Sequence, residues 1–384
     1  MRLKPRQPLE RIRLNFDVVI SQNFGRQIDS YRARTQPNGG SELHTVVVAE
    51  GLRRAGYRVA VIQPGPSYVR WEGVDYLSLE DVVHRGLYDI TCDVLLSQRF
   101  GALPAHVSFA RLAVEMHDLP DERAQTCIDF MSQVPGCKTI LHSQFNANLY
   151  PDWPGSTIIP AAFEDSLYEM QAPPLQPDKR ERTFVYGSAA LKGLVPTLML
   201  WGELKKNHYS FKKATLIVTS PGYDAPEFDK LKETPGVVYE QQKTLGDMMM
   251  RIANSDGLFQ FNALPETFGC VHVMAEIVGR PAWIICSESG PGALKEVLAN
   301  PWTVHTDPKT FVDAVAEKTW PALAPARDYR MTTLLPQWLS VLGYSDDKTT
   351  GIRPGVLQKE SGEGESKAEG LVRGAYAREE SAVV

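Results

Sequence analysis

The chain has 384 residues, 43% hydrophobic and 23% charged, with a formal net charge of −5 and a pI near 6.0. That length suits two domains with full cores, and the acidic balance argues against a nucleic-acid binder, which would show a basic field. No apolar run approaches the roughly 20 residues of a membrane helix; a membrane surface is a possible partner but not an indicated one. The N-terminal stretch MRLKPRQPLERIR is basic but lacks an apolar signal core, so a secretory leader is not expected. Five scattered cysteines, Cys92, Cys127, Cys137, Cys270 and Cys286, show no CxxC spacing and read as reduced thiols in a cytoplasmic protein.

Strand-like and helix-like runs alternate along the chain. Leu14–Ser21 reads as a strand, followed by a polar stretch ending in Asn38-Gly39-Gly40-Ser41-Glu42. Leu43, Val46, Val47 and Leu52 then recur at helical spacing, Gly56 closes the helix, and Arg58–Gln63 is the next strand. This order is a βαβ unit and predicts a right-handed parallel sheet. Gly39 and Gly40 before the helix let backbone amides approach a ligand, with Ser41 as the expected N-cap. Further strands are predicted at Val74–Leu77, Val94–Ser97, Leu112–Met116, Thr139–His142 and Thr157–Pro160.

A proline-rich, charged segment at Ala172–Arg182 separates this series from a second one. Its predicted strands are Thr183–Gly187, Ala214–Thr219, Val237–Glu240, Gly257–Phe261 and Ala282–Cys286, with helices at Val195–Lys205, Leu245–Ala253 and Gly292–Leu298. Two α/β series predict two Rossmann-like domains whose parallel sheets face a central cleft. The expected organisation is an N-terminal domain at 1–165, a linker at 166–182, a C-terminal domain at 183–328, a bracing helix at 329–344 and a disordered tail at 345–384. That tail has too few apolar residues to offset its ordering entropy.

The stretch Pro265–Pro281, PETFGCVHVMAEIVGRP, carries the most chemistry. Between two apolar strands the period turns helical, with Gly279 and Pro281 as stops. Glu266 and Thr267 therefore sit on a strand-to-helix loop, Gly269 admits a close approach, and free helix amides offer an anion cradle. A carboxylate beside such a cradle suits neutral hydroxyls, so the pair suits a nucleotide sugar. Lys192, in the small-residue loop Gly187-Ser188-Ala189-Ala190-Leu191-Lys192-Gly193, can neutralise a diphosphate. His117 ends a strand of the first domain, where a side chain faces a cleft. His44, His142 and His272 read as structural or surface residues. No His/Cys/Asp spacing suggests a metal site.

These residues resemble the donor motif of retaining GT-B glycosyltransferases, glycosyltransferase family 4 in particular, whose pattern is E-x-F-G-x-x-x-x-E. Glu266, Phe268 and Gly269 match, with Ala275, Gly279 and Pro281 beyond them, while Met274 stands where the second Glu belongs. Glu276 lies about 200° further round a helix and cannot simply replace it. The resemblance implies the GT-B fold and transfer of a sugar from a nucleotide-diphosphate sugar, with retention, no cofactor and no metal. The acceptor is an unspecified glycan, lipid or small molecule. Glu266 and His117 are the implied catalytic residues. Gly39, Gly40, Ser188, Lys192, Thr267, Phe268, Gly269, Cys270 and Met274 are the implied donor-binding residues. The loss of the second Glu leaves two alternatives: an impaired GT-B module acting as a binding or regulatory partner, and a GT-B sugar-nucleotide epimerase.

Overall fold

The computed structural model describes residues 11–22, 27–65, 68–99, 104–121, 124–153, 155–175, 181–219, 234–240, 244–316 and 320–344. The expected tail at 345–384 and part of the expected linker lie outside them. Among the described residues, fourteen strands form two sheets.

The first sheet holds β1 (Ile12–Gln22), β2 (Val59–Gln63), β3 (Val69–Trp71), β4 (Val74–Ser78), β5 (Tyr88–Gln98), β6 (Val107–Met116), β7 (Lys138–Leu141) and β8 (Ser156–Ile158), in the order β3-β4-β2-β1-β5-β6-β7-β8. Every pairing is parallel except the β3–β4 hairpin at the edge. The second sheet holds β9 (Thr183–Tyr186), β10 (Thr215–Thr219), β11 (Val237–Glu240), β12 (Gly257–Asn262), β13 (Ala282–Cys286) and β14 (Val304–His305), in the order β11-β10-β9-β12-β13-β14 and wholly parallel. In each sheet the order reverses beside the first strand, β1 or β9. In open α/β sheets ligands settle at such reversals, outside the carboxyl ends of the strands.

Helices α1 (Ser30–Thr35), α2 (Gly40–Arg54), α3 (Ala124–Ser132) and α4 (Gln144–Asn148) accompany the first sheet. The second carries α5 (Leu194–Asn207), α6 (Leu245–Ala253), α7 (Cys270–Ile277), α8 (Leu294–Val297) and α9 (Pro308–Ala316). The last helix, α10 (Met331–Val341), lies against α2, back on the first lobe. There Tyr344 donates its hydroxyl to the Asp17 carbonyl at 2.9 Å, and Arg111 donates to the Leu342 carbonyl. Trp338 of α10 is fully buried within an apolar cluster that also takes in Val47 and Leu52 of α2 and Phe268 and Met274 of the second lobe. One core therefore continues across both lobes.

Three local expectations change. Ser41 is not the N-cap of α2; Gly39 is, and no side chain caps it, because Ser41 lies one residue inside the helix. The helix expected at Gly292–Leu298 shrinks to the four residues of α8, since Gly290 and Gly292 take positive φ. The β3–β4 hairpin was not anticipated. Its short edge strand is mostly exposed and has no apolar run to announce it.

Candidate active site

The carboxyl ends of β5, β6 and β7 face those of β9 and β12 across a cleft of about 400 Å³, a size usual for small-molecule sites. Gly39 and Gly40 open α2 on one wall, beside His117, which follows β6. Ser188 and Lys192 follow β9 on the other wall, and Glu266, Thr267, Phe268, Gly269, Cys270 and Met274 run from the end of β12 into α7. All of these residues line the same cleft.

Two close approaches shape it. Gly269, the N-cap of α7, has φ +86°, and a Cβ there would sit 2.6 Å from Leu294 Cδ2. A side chain would be strained as well as crowded at this point. A Cβ on Gly40 would come within 3.1 Å of Cys270 Sγ, so the glycine loop of one wall touches α7 of the other. Burial pushes the Cys270 thiol up to about 11, which keeps it protonated near neutrality.

Lys192 Nζ donates to both oxygens of Glu266, at 3.0 and 2.8 Å. Burial would raise the Glu266 carboxyl, but the Lys192 charge and hydrogen bonds more than offset it and hold the group below its ordinary value. Lys192 is correspondingly raised: its side chain is half exposed, and Glu266 outweighs the desolvation of its amine. The ion pair joins the residue expected on hydroxyls to the residue expected on phosphate. A second cation, Arg99 at the end of β5, is held in the same cleft by Asp118 at 3.0 Å and donates to Ser41 Oγ at 2.7 Å.

The walls are also joined directly. Thr267 donates its hydroxyl to the His117 carbonyl at 2.6 Å, and Ser143 donates to the Thr267 carbonyl at 2.7 Å. Glu296, on α8, accepts the backbone N–H groups of Gln144 and Phe145 at the start of α4, at 2.5 and 3.1 Å. A carboxylate at a helix N-terminus is favourably placed.

Met274 is buried on the cleft side of α7, packed in the shared core. Glu276, the nearby acid of α7, faces away from the cleft. Its carboxylate accepts the Ala299 and Asn300 N–H groups at 2.8 and 2.7 Å, away from the cleft lining, and burial raises it despite those bonds.

The reading of His44 and His142 as structural or surface residues changes. Both line the cleft and, with His117, surround Glu115, a buried carboxylate that the sequence did not single out. The cause is strand register: Met116 of β6 pairs with Leu141 of β7, so the next residues, His117 and His142, emerge side by side with ring centroids 4.5 Å apart. Burial would raise the Glu115 carboxyl, but the facing imidazoles of His44 and His117 hold it well below the ordinary range. Burial and the neighbouring imidazole push His142 down to about 3, so it is neutral. His272, by contrast, is fully buried on α7 and lies outside the cleft lining.

No family profile and no characterised protein sequence matches the chain, but solved structures do. Anabaena HepE in complex with UDP-glucose aligns with a TM-score of 0.58 and 15% identity, over 85% of this chain and 99% of its own. The fold is GT-B. AviGT4, a glycosyltransferase of avilamycin A biosynthesis, aligns at TM-score 0.57 and 14% identity, over 85% and 97% of the two chains. Sucrose-phosphate synthase from Thermosynechococcus elongatus gives 0.56 and 12%, over 96% and 100%. In GT-B terms, the wall bearing His117 belongs to the N-terminal lobe and the wall bearing Lys192 and Glu266 to the C-terminal lobe. Among the described residues no helix is long and apolar enough to cross a membrane.

Proposed function

We propose that the chain is a glycosyltransferase that moves a sugar from a nucleotide-diphosphate sugar to an acceptor hydroxyl with retention of configuration, without a metal on the diphosphate. The observation that carries this is the Lys192–Glu266 pair beside the N-terminus of α7, in a cleft between two sheet reversals. Lys192 and the amides after Phe268 supply positive charge and donors for a diphosphate. Glu266 supplies acceptors for sugar hydroxyls, and His117 lines the sugar and acceptor side. Catalysis in such a site is positioning and charge stabilisation, with the leaving diphosphate assisting deprotonation of the acceptor. HepE holds UDP-glucose in one structure and UDP with glucose in another, which supports the substrate class.

The test is thermal stabilisation by a panel of nucleotide sugars, since a ligand bound only by the native state raises Tm. At least one donor is expected to stabilise the protein and to be consumed when acceptors are added. If none stabilises it, the reading fails. Donor binding without turnover of any acceptor favours the second reading, a binding module, which the buried Met274 at the motif position supports.

Met274→Glu separates the two further. A carboxylate accepting from a ribose hydroxyl contributes about 1.5–3 kcal/mol, so donor binding is expected to tighten by about tenfold to a hundredfold. Unchanged donor affinity in a folded variant would remove Met274 from the ribose side of the cleft.

A further inference from the structure

The proton positions of the cluster around Glu115 can be assigned atom by atom. Ala162 donates its backbone N–H to His44 Nδ1 at 2.9 Å. That lone pair is therefore used, and the His44 proton sits on Nε2, donated to Glu115 Oε1 at 2.6 Å. Gln98 donates its amide to Glu115 Oε2 at 2.7 Å. His142 Nδ1 lies 2.9 Å from the Ile159 carbonyl, an acceptor, so it must carry the proton. His142 Nε2 is then an acceptor, aimed at His117.

What it meets there is a ring nitrogen, His117 Nδ1, at 3.1 Å. It also lies 3.4 Å from Glu115 Oε1. The other nitrogen of His117 is buried without a hydrogen-bond partner, 3.5 Å from Glu115 Oε2. One donor atom from each of His44, Glu115, His117 and His142 lies within 4.8 Å of the others. A tetrahedral zinc site with bonds of about 2.0–2.1 Å has neighbouring donors about 3.3–3.4 Å apart. The separations of 3.1 and 3.4 Å from His142 Nε2 match that edge.

We propose that His117, His142 and Glu115 bind a divalent transition-metal cation of the zinc type, with a fourth position open to the cleft. Two neutral imidazoles and one carboxylate form the three-ligand set of open zinc sites. Ligating histidines characteristically donate their second N–H to a carbonyl, and ligating carboxylates are themselves hydrogen-bonded. Ile159 does the first for His142, while His44 and Gln98 do the second for Glu115. His44 is thus a supporting donor and not a ligand, because its remaining nitrogen is spoken for by Ala162. His117 and His142 both line the cleft, so the cation, and not an imidazole N–H, would face a bound molecule there. The site does not depend on the transfer reaction proposed above.

The experiment is titration of chelator-treated full-length protein with Zn²⁺, and with Co²⁺ as the spectroscopic probe. One equivalent is expected to bind, with the visible ligand-field bands of four-coordinate cobalt. His142→Gln and His117→Gln are each expected to abolish those bands. His44→Gln is expected to keep them while weakening binding about 10- to 100-fold, the usual effect of losing a hydrogen bond to a ligand. His84→Gln, at an exposed histidine, leaves both readings unchanged. If the wild-type protein binds no saturable equivalent, the cluster is a proton-sharing network only and the proposal falls. It falls equally if binding survives both His117→Gln and His142→Gln. Should one ligand variant fail to fold, the wild-type cobalt spectrum still decides, since surface histidines give no four-coordinate bands.

Discussion

Truncating Trp338 to alanine is expected to destabilise the protein by about 3–5 kcal/mol, the usual result of removing a buried aromatic from a packed core. The indole is fully enclosed where α10 crosses back over α2, and its ring lies 5.7 Å from that of His44. It belongs to the same apolar cluster as Phe268 and Met274 from the other lobe, so the void would open in the core that both lobes share. A relaxed helix cannot easily fill it, because Pro336 lies inside α10 and limits its backbone bonding. The measurement is the urea midpoint and Tm of the variant beside Leu335→Ala, a partly buried neighbour. A loss no larger than that of Leu335→Ala would show that α10 does not brace the first lobe.

Lys192→Ala is expected to lower affinity for a nucleoside diphosphate by about tenfold to more than a hundredfold, while binding of the nucleoside changes little. A charged hydrogen bond contributes about 1.5–3 kcal/mol, and that range sets the ratio. The true loss should lie toward its upper end. Without the lysine, the buried Glu266 carboxylate, 8% exposed, loses its partner and faces the incoming anion alone. Adding Glu266→Gln to the Lys192→Ala chain should recover part of the diphosphate affinity, since the repulsion is removed. Equal losses for nucleoside and nucleoside diphosphate would place Lys192 away from phosphate.

Elements with a strong local signature were legible in the sequence. Helix α6 has the bounds its periodicity predicts, Leu245–Ala253, and β11 and β13 likewise match Val237–Glu240 and Ala282–Cys286. Strand β5 begins at Tyr88, six residues before the predicted Val94. Its first half alternates between buried and exposed residues and lacks the continuous apolar run of its second half. The glycine loop, the Lys192 loop and the Glu266 loop were legible because each is a local turn between a strand and a helix. Glu115, His44 and His142 were not, because their meeting depends on the β6–β7 register and on how α2 crosses the sheet. Met116-His117 and Leu141-His142 do end neighbouring strands in the same way, and that parallel was the signal available.

The bonds of Thr267, Ser143 and Glu296 across the cleft bear on the timing of ligand exchange. They are made entirely between protein groups, so they tie the two walls together without help from a ligand. The same bonds must part before a bound molecule can leave. Residence time is therefore governed by the opening of the lobes, a motion of microseconds to milliseconds, as well as by the grip of the site itself.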